Sequence, residues 1–358
     1  MSVKINLGQG AYEIIDDNGK LQNSPALTLS NPRAEDTVIE VKKLPAGGVY
    51  GFISGGSTSP SPTAYSTIDR FPFNDPSQGV SNVGNLTITR RNVSSVSSSS
   101  DGYVANGNES PGIPALASID KFPFAMSGGT ATDIGDLHTG SVFPVSVGTG
   151  HQSLTHGHVA GGAVYTTRYS ARFKFPFAQS SAYYYTVGNL SIEKGGGTGF
   201  SSEDHGFVVG GFNPSPPSPS ANDMRIDKFP FAVDFGSSSN VGELSLVAVG
   251  GAGVQSSSDA YYCGGYLPIT STETQDILKF PFAITSGNST DVGDLALNTT
   301  DAGGHYSKDK GYVSGGMRDV TPTVMLDDVQ VFSFANVITN NYPGALIADV
   351  HRHGHHQV

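Results

Sequence analysis

Tryptophan is absent from this 358-residue chain, cysteine occurs once, and only 14% of the residues are charged. A lone Cys263 excludes an intrachain disulfide and leaves a thiolate-bound zinc site short of sulfur. Twenty Lys and Arg stand against 31 Asp and Glu, a net charge of −11, so no basic surface is offered to a phosphate backbone or an anionic lipid. Nucleic acid and membrane are therefore poor partners. No apolar run approaches the roughly 18 residues that a membrane helix needs. The opening MSVKINLGQG also lacks the charged-then-apolar start of a signal peptide, which points to synthesis in a cytosol.

Glycine, at 46 residues, and proline, at 21, are abundant beside Ser and Thr, and 37% of the chain is hydrophobic. That composition predicts many turns and a core of short strands rather than long helices. The organisation follows from one heptad. It reads IDRFPFN at Ile68, IDKFPFA at Ile119, RFKFPFA at Arg172, IDKFPFA at Ile226, ILKFPFA at Ile277 and VQVFSFA at Val329. The first Phe of each copy falls at Phe71, Phe122, Phe175, Phe229, Phe280 and Phe332, steps of 51 to 54 residues. Each heptad follows an apolar run ending in a doublet, such as GFISGG at Gly51 and GYVSGG at Gly311. In five copies a Val-Gly-Asn/Asp-Leu-like signal comes after it, the Leu 15 residues beyond the first Phe.

A period near 52 residues with three ordered signals predicts four short strands per repeat and a β-propeller. The expected fold is all-β: a six-bladed propeller over residues 48–358, with blade motifs at 51–86, 102–137, 157–190, 206–244, 260–295 and 311–346. The first repeat has no strand ahead of Gly51, whereas ALIADVHRHGHHQV at the other end supplies one. The C-terminal strand is thus expected to complete blade one and close the ring, removing an exposed sheet edge. Residues 1–47 read as a small β appendage, with a hairpin over Tyr12–Gln22 around Asn18-Gly19 and a strand over Asp36–Leu44.

Twelve of 19 phenylalanines occupy the two Phe positions of the Phe-Pro-Phe triplet and its Phe-Ser-Phe copy, so the triplet is expected to pack blades together, Pro marking where the third strand leaves its ladder. The heptad cations (Arg70, Lys121, Lys174, Lys228, Lys279) and acids (Asp69, Asp120, Asp227) read as structural ion pairs or solvated strand faces, and Asp136, Glu243 and Asp294 as turn caps. Histidines cluster at His151, His156 and His158 and at His351, His353, His355 and His356. No carboxylate or cysteine spacing supports a metal there; the terminal group fits a strand lining the central channel. The loops between the doublet and the heptad differ most between repeats and must share one face, which suits recognition. They supply the candidate ligand-facing residues Tyr65, Pro114, Asn213, Pro216, Asn222, Tyr266 and Thr270.

In its Gly doublet after an apolar strand, followed about 15 positions later by an aromatic residue, the chain resembles kelch-type β-propellers over roughly residues 47–358. It departs from them in lacking the blade-packing Trp. The recurring FPFA and VGDL motifs, the Ser/Gly-rich composition and the short N-terminal β segment also resemble kelch-like virion proteins of tailed phages, particularly marine cyanobacterial ones. That resemblance implies a non-enzymatic structural protein of the virion, made in the host cytoplasm, without a cofactor and present in several copies. Residues 1–47 would bind other virion proteins, and the propeller would serve as a tail or fibre adhesin for a host-surface carbohydrate. Two alternatives remain open at this point: a kelch-type adaptor that binds a protein, and a propeller metalloenzyme of the copper-oxidase kind, for which only the adjacency of Tyr261, Tyr262 and Cys263 speaks.

Overall fold

A computed structural model of the chain describes residues 2–5, 14–15, 21–22, 39–42, 49–58, 63–74, 79–110, 115–137, 146–178, 185–213, 221–318, 323–341, 346 and 350–357. Two compact units emerge, Met1–Leu44 and Pro45–Val358. In the first, an antiparallel sheet places Leu21–Gln22, Ile14–Ile15, Ser2–Ile5 and Ile39–Lys42 side by side in that order. The Asn18-Gly19 turn lies outside the described residues.

The second unit is a six-bladed β-propeller, and its described residues contain no helix. Each blade is a four-stranded antiparallel sheet. The inner strands are Gly354–Gln357, Ser94–Ser97, Thr149–Gln152, Thr198–Ser201, Ala252–Gln255 and Gly303–Tyr306 for blades one to six, and each neighbours the next in a closed cycle. Blade one is built from both ends of the unit: Gly354–Gln357 pairs with Tyr50–Ser54, which pairs with Thr67–Pro72 and that with Ser81–Asn85. The sheet edge that a first blade would otherwise expose is covered by the C-terminal strand.

Phenylalanine replaces the missing tryptophan through two contacts that recur in every blade. The first Phe of each heptad is at most 1% exposed. It lies across the residue directly opposite on the second strand, for example Phe175 across Gly157, where a Cβ would strike the Phe175 ring. The second Phe packs on an aromatic ring of the preceding blade. The six pairs are Phe52–Phe124, Tyr103–Phe177, His158–Phe231, Phe207–Phe282, Tyr261–Phe334 and Tyr312–Phe73, with ring centroids 4.3–5.3 Å apart. The last pair joins blade six to blade one, so the aromatic zipper closes with the ring. Tyr312 adds a hydrogen bond from its hydroxyl to the Phe73 carbonyl, 2.9 Å. Where the heptad has Pro, that residue ends the third strand, as at Pro72 and Pro281.

The heptad charges divide by strand face. The cations stay near solvent: Lys121 reaches Asp101 at 3.5 Å and Lys279 reaches Asp259 at 3.4 Å. Asp120 and Asp227 turn inward and take the ion-pair role rather than that of a solvated face. Asp120 meets Arg90 at 3.3 Å, and Asp227 meets Lys194 at 2.9 Å, all four fully or almost fully buried. Arg90 also donates to the Asn106 and Ser118 carbonyls, so this pair has the extra hydrogen bonds that a buried ion pair requires. The expected turn caps are displaced by three residues. Asp133, Asn240 and Asp291, rather than Asp136, Glu243 and Asp294, accept from the amides of Gly135, Gly242 and Gly293.

Candidate functional site

Immediately before each inner strand the chain makes one tight turn, and one residue in it adopts left-handed backbone geometry. These residues are Arg352, Asn92, Val147, Gly196, Gly250 and Asp301 for blades one to six, with φ between 52° and 69°. Only glycine does this without steric cost, and Asn and Asp tolerate it; a β-branched residue such as Val147 is strained there. The six residues encircle one mouth of the central channel and are tied head to tail. Backbone N–H groups of Asn92, Val147, Gly196, Asp301 and Arg352 each donate to the equivalent carbonyl of the preceding blade at 2.7–3.0 Å.

The residue just before each of these pairs with the first residue after the doublet of its own blade. The bridges are His351 with Ser57, Arg91 with Asn108, Ser146 with Ala163, Gly195 with Phe212, Val249 with Tyr266 and Thr300 with Met317. A wall therefore rises from the ring, and its composition is uneven: Ser, Asn and Ala in blades one to three, Phe, Tyr and Met in blades four to six. In blades three to six the wall continues as a short hairpin. Blade three brings in Arg168 opposite Ala163, and blade five brings in Glu273 opposite Tyr266.

Between wall and ring lies a cup of about 430 Å³, within the range of small-molecule sites. Phe212, Tyr266 and Met317 line its apolar side above Gly196 and Gly250, which leave the floor low; Arg168, Glu273, Asn92, Asp301 and Arg352 supply the polar groups. Arg352 and Asp301 are held together by a 2.8 Å Nε–Oδ2 bond. Arg168 donates to the Tyr165 carbonyl, and burial lowers its pKa.

The channel narrows below the ring. Beneath the ring is a chamber of about 130 Å³ that reaches Ser95, Thr149, Thr198, His353 and His355. Lower still, the inner strands approach so closely that a Cβ on Gly150, Gly199, Gly253 or Gly304 would meet a carbonyl oxygen of the strand beside it. A polar belt then lines the far end: Gln152 Oε1 accepts from the Ser97 amide, Gln255 Oε1 from the Ser201 amide, and Gln255 Nε2 donates to the Tyr306 hydroxyl. About 30 Å³ remains there, room for one or two waters.

No family model matches the chain, and no curated protein sequence does. The solved structure of YjhT shares the fold. It aligns with a TM-score of 0.60 at 12% identity, over 75% of this chain and 87% of YjhT.

Of the residues singled out from sequence, Tyr266 lines the cup. Tyr65 packs instead against the core at the closure of the ring, Asn213 and Asn222 lie on the blade-four hairpin, and Thr270 sits at the exposed tip of the blade-five hairpin bonded to Thr272. Pro114 and Pro216 lie outside the described residues. Phe212 and Met317 were not foreseen, although they hold the same offset after the doublet as Tyr266. The C-terminal histidines do not all line the channel as expected, because Arg352 turns left-handed among them and the strand begins only at Gly354. His355 faces the channel, His353 sits against Gly303, and His356 points between blades to the Val96 carbonyl. Among the described residues no three His, Cys, Asp or Glu side chains are grouped to hold a metal ion. Tyr261, Tyr262 and Cys263 also diverge: Tyr261 stacks on Phe334, Tyr262 accepts from the Gly251 amide, and burial pushes the Cys263 thiol pKa far up.

Proposed function

We propose that this chain is a non-enzymatic structural protein of a phage virion, and that its propeller is a tail- or fibre-associated adhesin for a host-surface glycan. The observation that carries the recognition role is the unevenly walled cup at one channel mouth. It offers aromatic faces on one side and hydrogen-bonding side chains on the other, above a floor kept open by glycine. Asp301 is committed to Arg352, so the pair shapes the floor rather than acting as a free base. Residues 1–47 join the propeller to other virion proteins in this reading. Several copies per particle would convert a weak contact at each cup into firm attachment, since linked sites gain avidity without any new contact. The setting in a virion rests on the resemblance of the repeats to phage propellers.

Adsorption competition tests the reading. Purified full-length protein added to host cells should occupy the receptors and lower the rate at which the parent phage adsorbs, and antibody against the protein should label intact particles in electron micrographs. Particles free of the chain, or adsorption unmoved by saturating protein, would overturn it.

A further inference from the structure

We infer that the cup takes a single neutral sugar residue, its apolar face laid on Phe212 and Tyr266 and its hydroxyls held by Arg168, Glu273 and the Asp301–Arg352 pair. The inference rests on the glycan-recognition reading above and narrows it to a chemical class.

Charge balance makes the first part of the case. Four ionisable side chains line the cup, Arg168 and Arg352 against Glu273 and Asp301, equal numbers of the two signs. An acidic sugar could pair with Arg168 only in a cavity that also contains Glu273 and Asp301, and like charges in a confined site repel. A polyol meets no such conflict, because each hydroxyl both donates and accepts. Guanidinium groups supply donors, carboxylates supply acceptors, and both are present.

The shape of the cup makes the second part. In blades four and five the left-handed floor residues are Gly196 and Gly250, while their counterparts in blades six, one and two carry the polar side chains of Asp301, Arg352 and Asn92. The low floor lies directly in front of the aromatic wall: a Cβ built on Gly196 would approach the Phe212 ring at 3.4 Å. A pyranose ring has this same division, with C–H groups on one face and hydroxyls around its edge. Aromatic side chains bury the first, and the polar arc opposite meets the second.

The floor also provides a variant that fills the cup at a position where asparagine is tolerated, though strained relative to glycine. Asn92 shows that asparagine fits this left-handed position, and a Cβ at Gly196 makes only ordinary van der Waals contact. Calorimetric titration of the full chain with neutral hexose oligosaccharides and with uronic-acid oligosaccharides, at low and high sodium chloride, tests the inference. Neutral oligosaccharides should bind with an affinity that changes less than about twofold with salt. Gly196→Asn should weaken them at least about tenfold with the protein still folded by circular dichroism, as should Tyr266→Ala, while Tyr266→Phe retains binding because it keeps the ring. Binding of the acidic oligosaccharides alone, weakened by salt and by Arg168→Ala, would overturn the neutral class and leave the glycan reading intact. Binding of neither class would overturn both. Neutral binding that survives Gly196→Asn in full would place the site elsewhere on the propeller.

Discussion

His158 occupies a position that holds Phe or Tyr in every other blade, and exchanging it for tyrosine should stabilise the propeller. The ring is 2% exposed and lies on Phe231 at 4.7 Å, yet neither nitrogen has a hydrogen-bond partner among the described residues. A buried donor or acceptor left unpaired costs about 1–3 kcal/mol. Removing both, and placing a hydroxyl near the Phe231 carbonyl as Tyr312 does at Phe73, should gain about 3 kcal/mol near pH 8. For a unit of this size that corresponds to roughly 6 °C in melting temperature. The pH dependence separates this cause from generic better packing. Burial, reinforced by His151, His156, Lys174 and Arg172, pulls the His158 pKa down to about 2, against about 6.5 in an unfolded chain. Below pH 6.5 the unfolded state therefore takes up a proton that the native state refuses, and the wild type loses about 1.4 kcal/mol per pH unit at this residue. The advantage of His158→Tyr should accordingly grow by about 2 kcal/mol between pH 8 and pH 5. Chemical denaturation at both pH values measures it. A variant no more stable than wild type at pH 8, or a gain that is the same at pH 5, would refute the reasoning.

The same physics predicts acid unfolding of the whole ring. Burial lowers His151 and His351 to about 4, His356 to about 3 and His158 to about 2. Each is neutral and without effect above pH 6.5, and each costs about 2 kcal/mol at pH 5, roughly 8 kcal/mol together, comparable with the 5–15 kcal/mol that holds a domain folded. Circular dichroism should show cooperative loss of structure between pH 5 and pH 4; a protein fully folded at pH 4 would contradict this. Val147 offers a local test, since its φ of 52° strains a β-branched residue where the blade-two equivalent is Asn92. Val147→Asn should add about 1 kcal/mol to the stability of the folded state, read from urea midpoints, and a lower midpoint would show that the turn is not strained.

The fold was legible because its signals repeat. Phe-Pro-Phe, the doublet and the Leu at fixed offset mark the third strand, the second strand and the connection to the next blade, and a period near 52 leaves one architecture for them. Ring closure was legible too, since one repeat lacked an inner strand and the C-terminal residues supplied one. The charges were half legible: a strand alternates faces, but sequence alone does not say that Asp120 and Asp227 turn toward Arg90 and Lys194, which arrive from the connection into the blade. The cup was harder to read. Its floor residues have no common side chain, being Asn, Val, Gly, Gly, Asp and Arg, and share only a backbone conformation. Its wall was within reach. The residue after each doublet runs Ser57, Asn108, Ala163, Phe212, Tyr266, Met317, and that change from small to large side chains marks the side of the ring where an apolar face can bind. Attention to loop variability led toward hairpin tips such as Thr270, whereas the cup is lined by hairpin bases, which the bridges to the ring hold in place.

The most direct measurement is a crystal structure of the protein soaked with the neutral oligosaccharide that binds it best. The account predicts one sugar ring in the cup, its face against Phe212 and Tyr266 and its hydroxyls within hydrogen-bond distance of Arg168 or Glu273. Sugar bound at the far end of the channel, or on the outer strands with the cup empty, would contradict it.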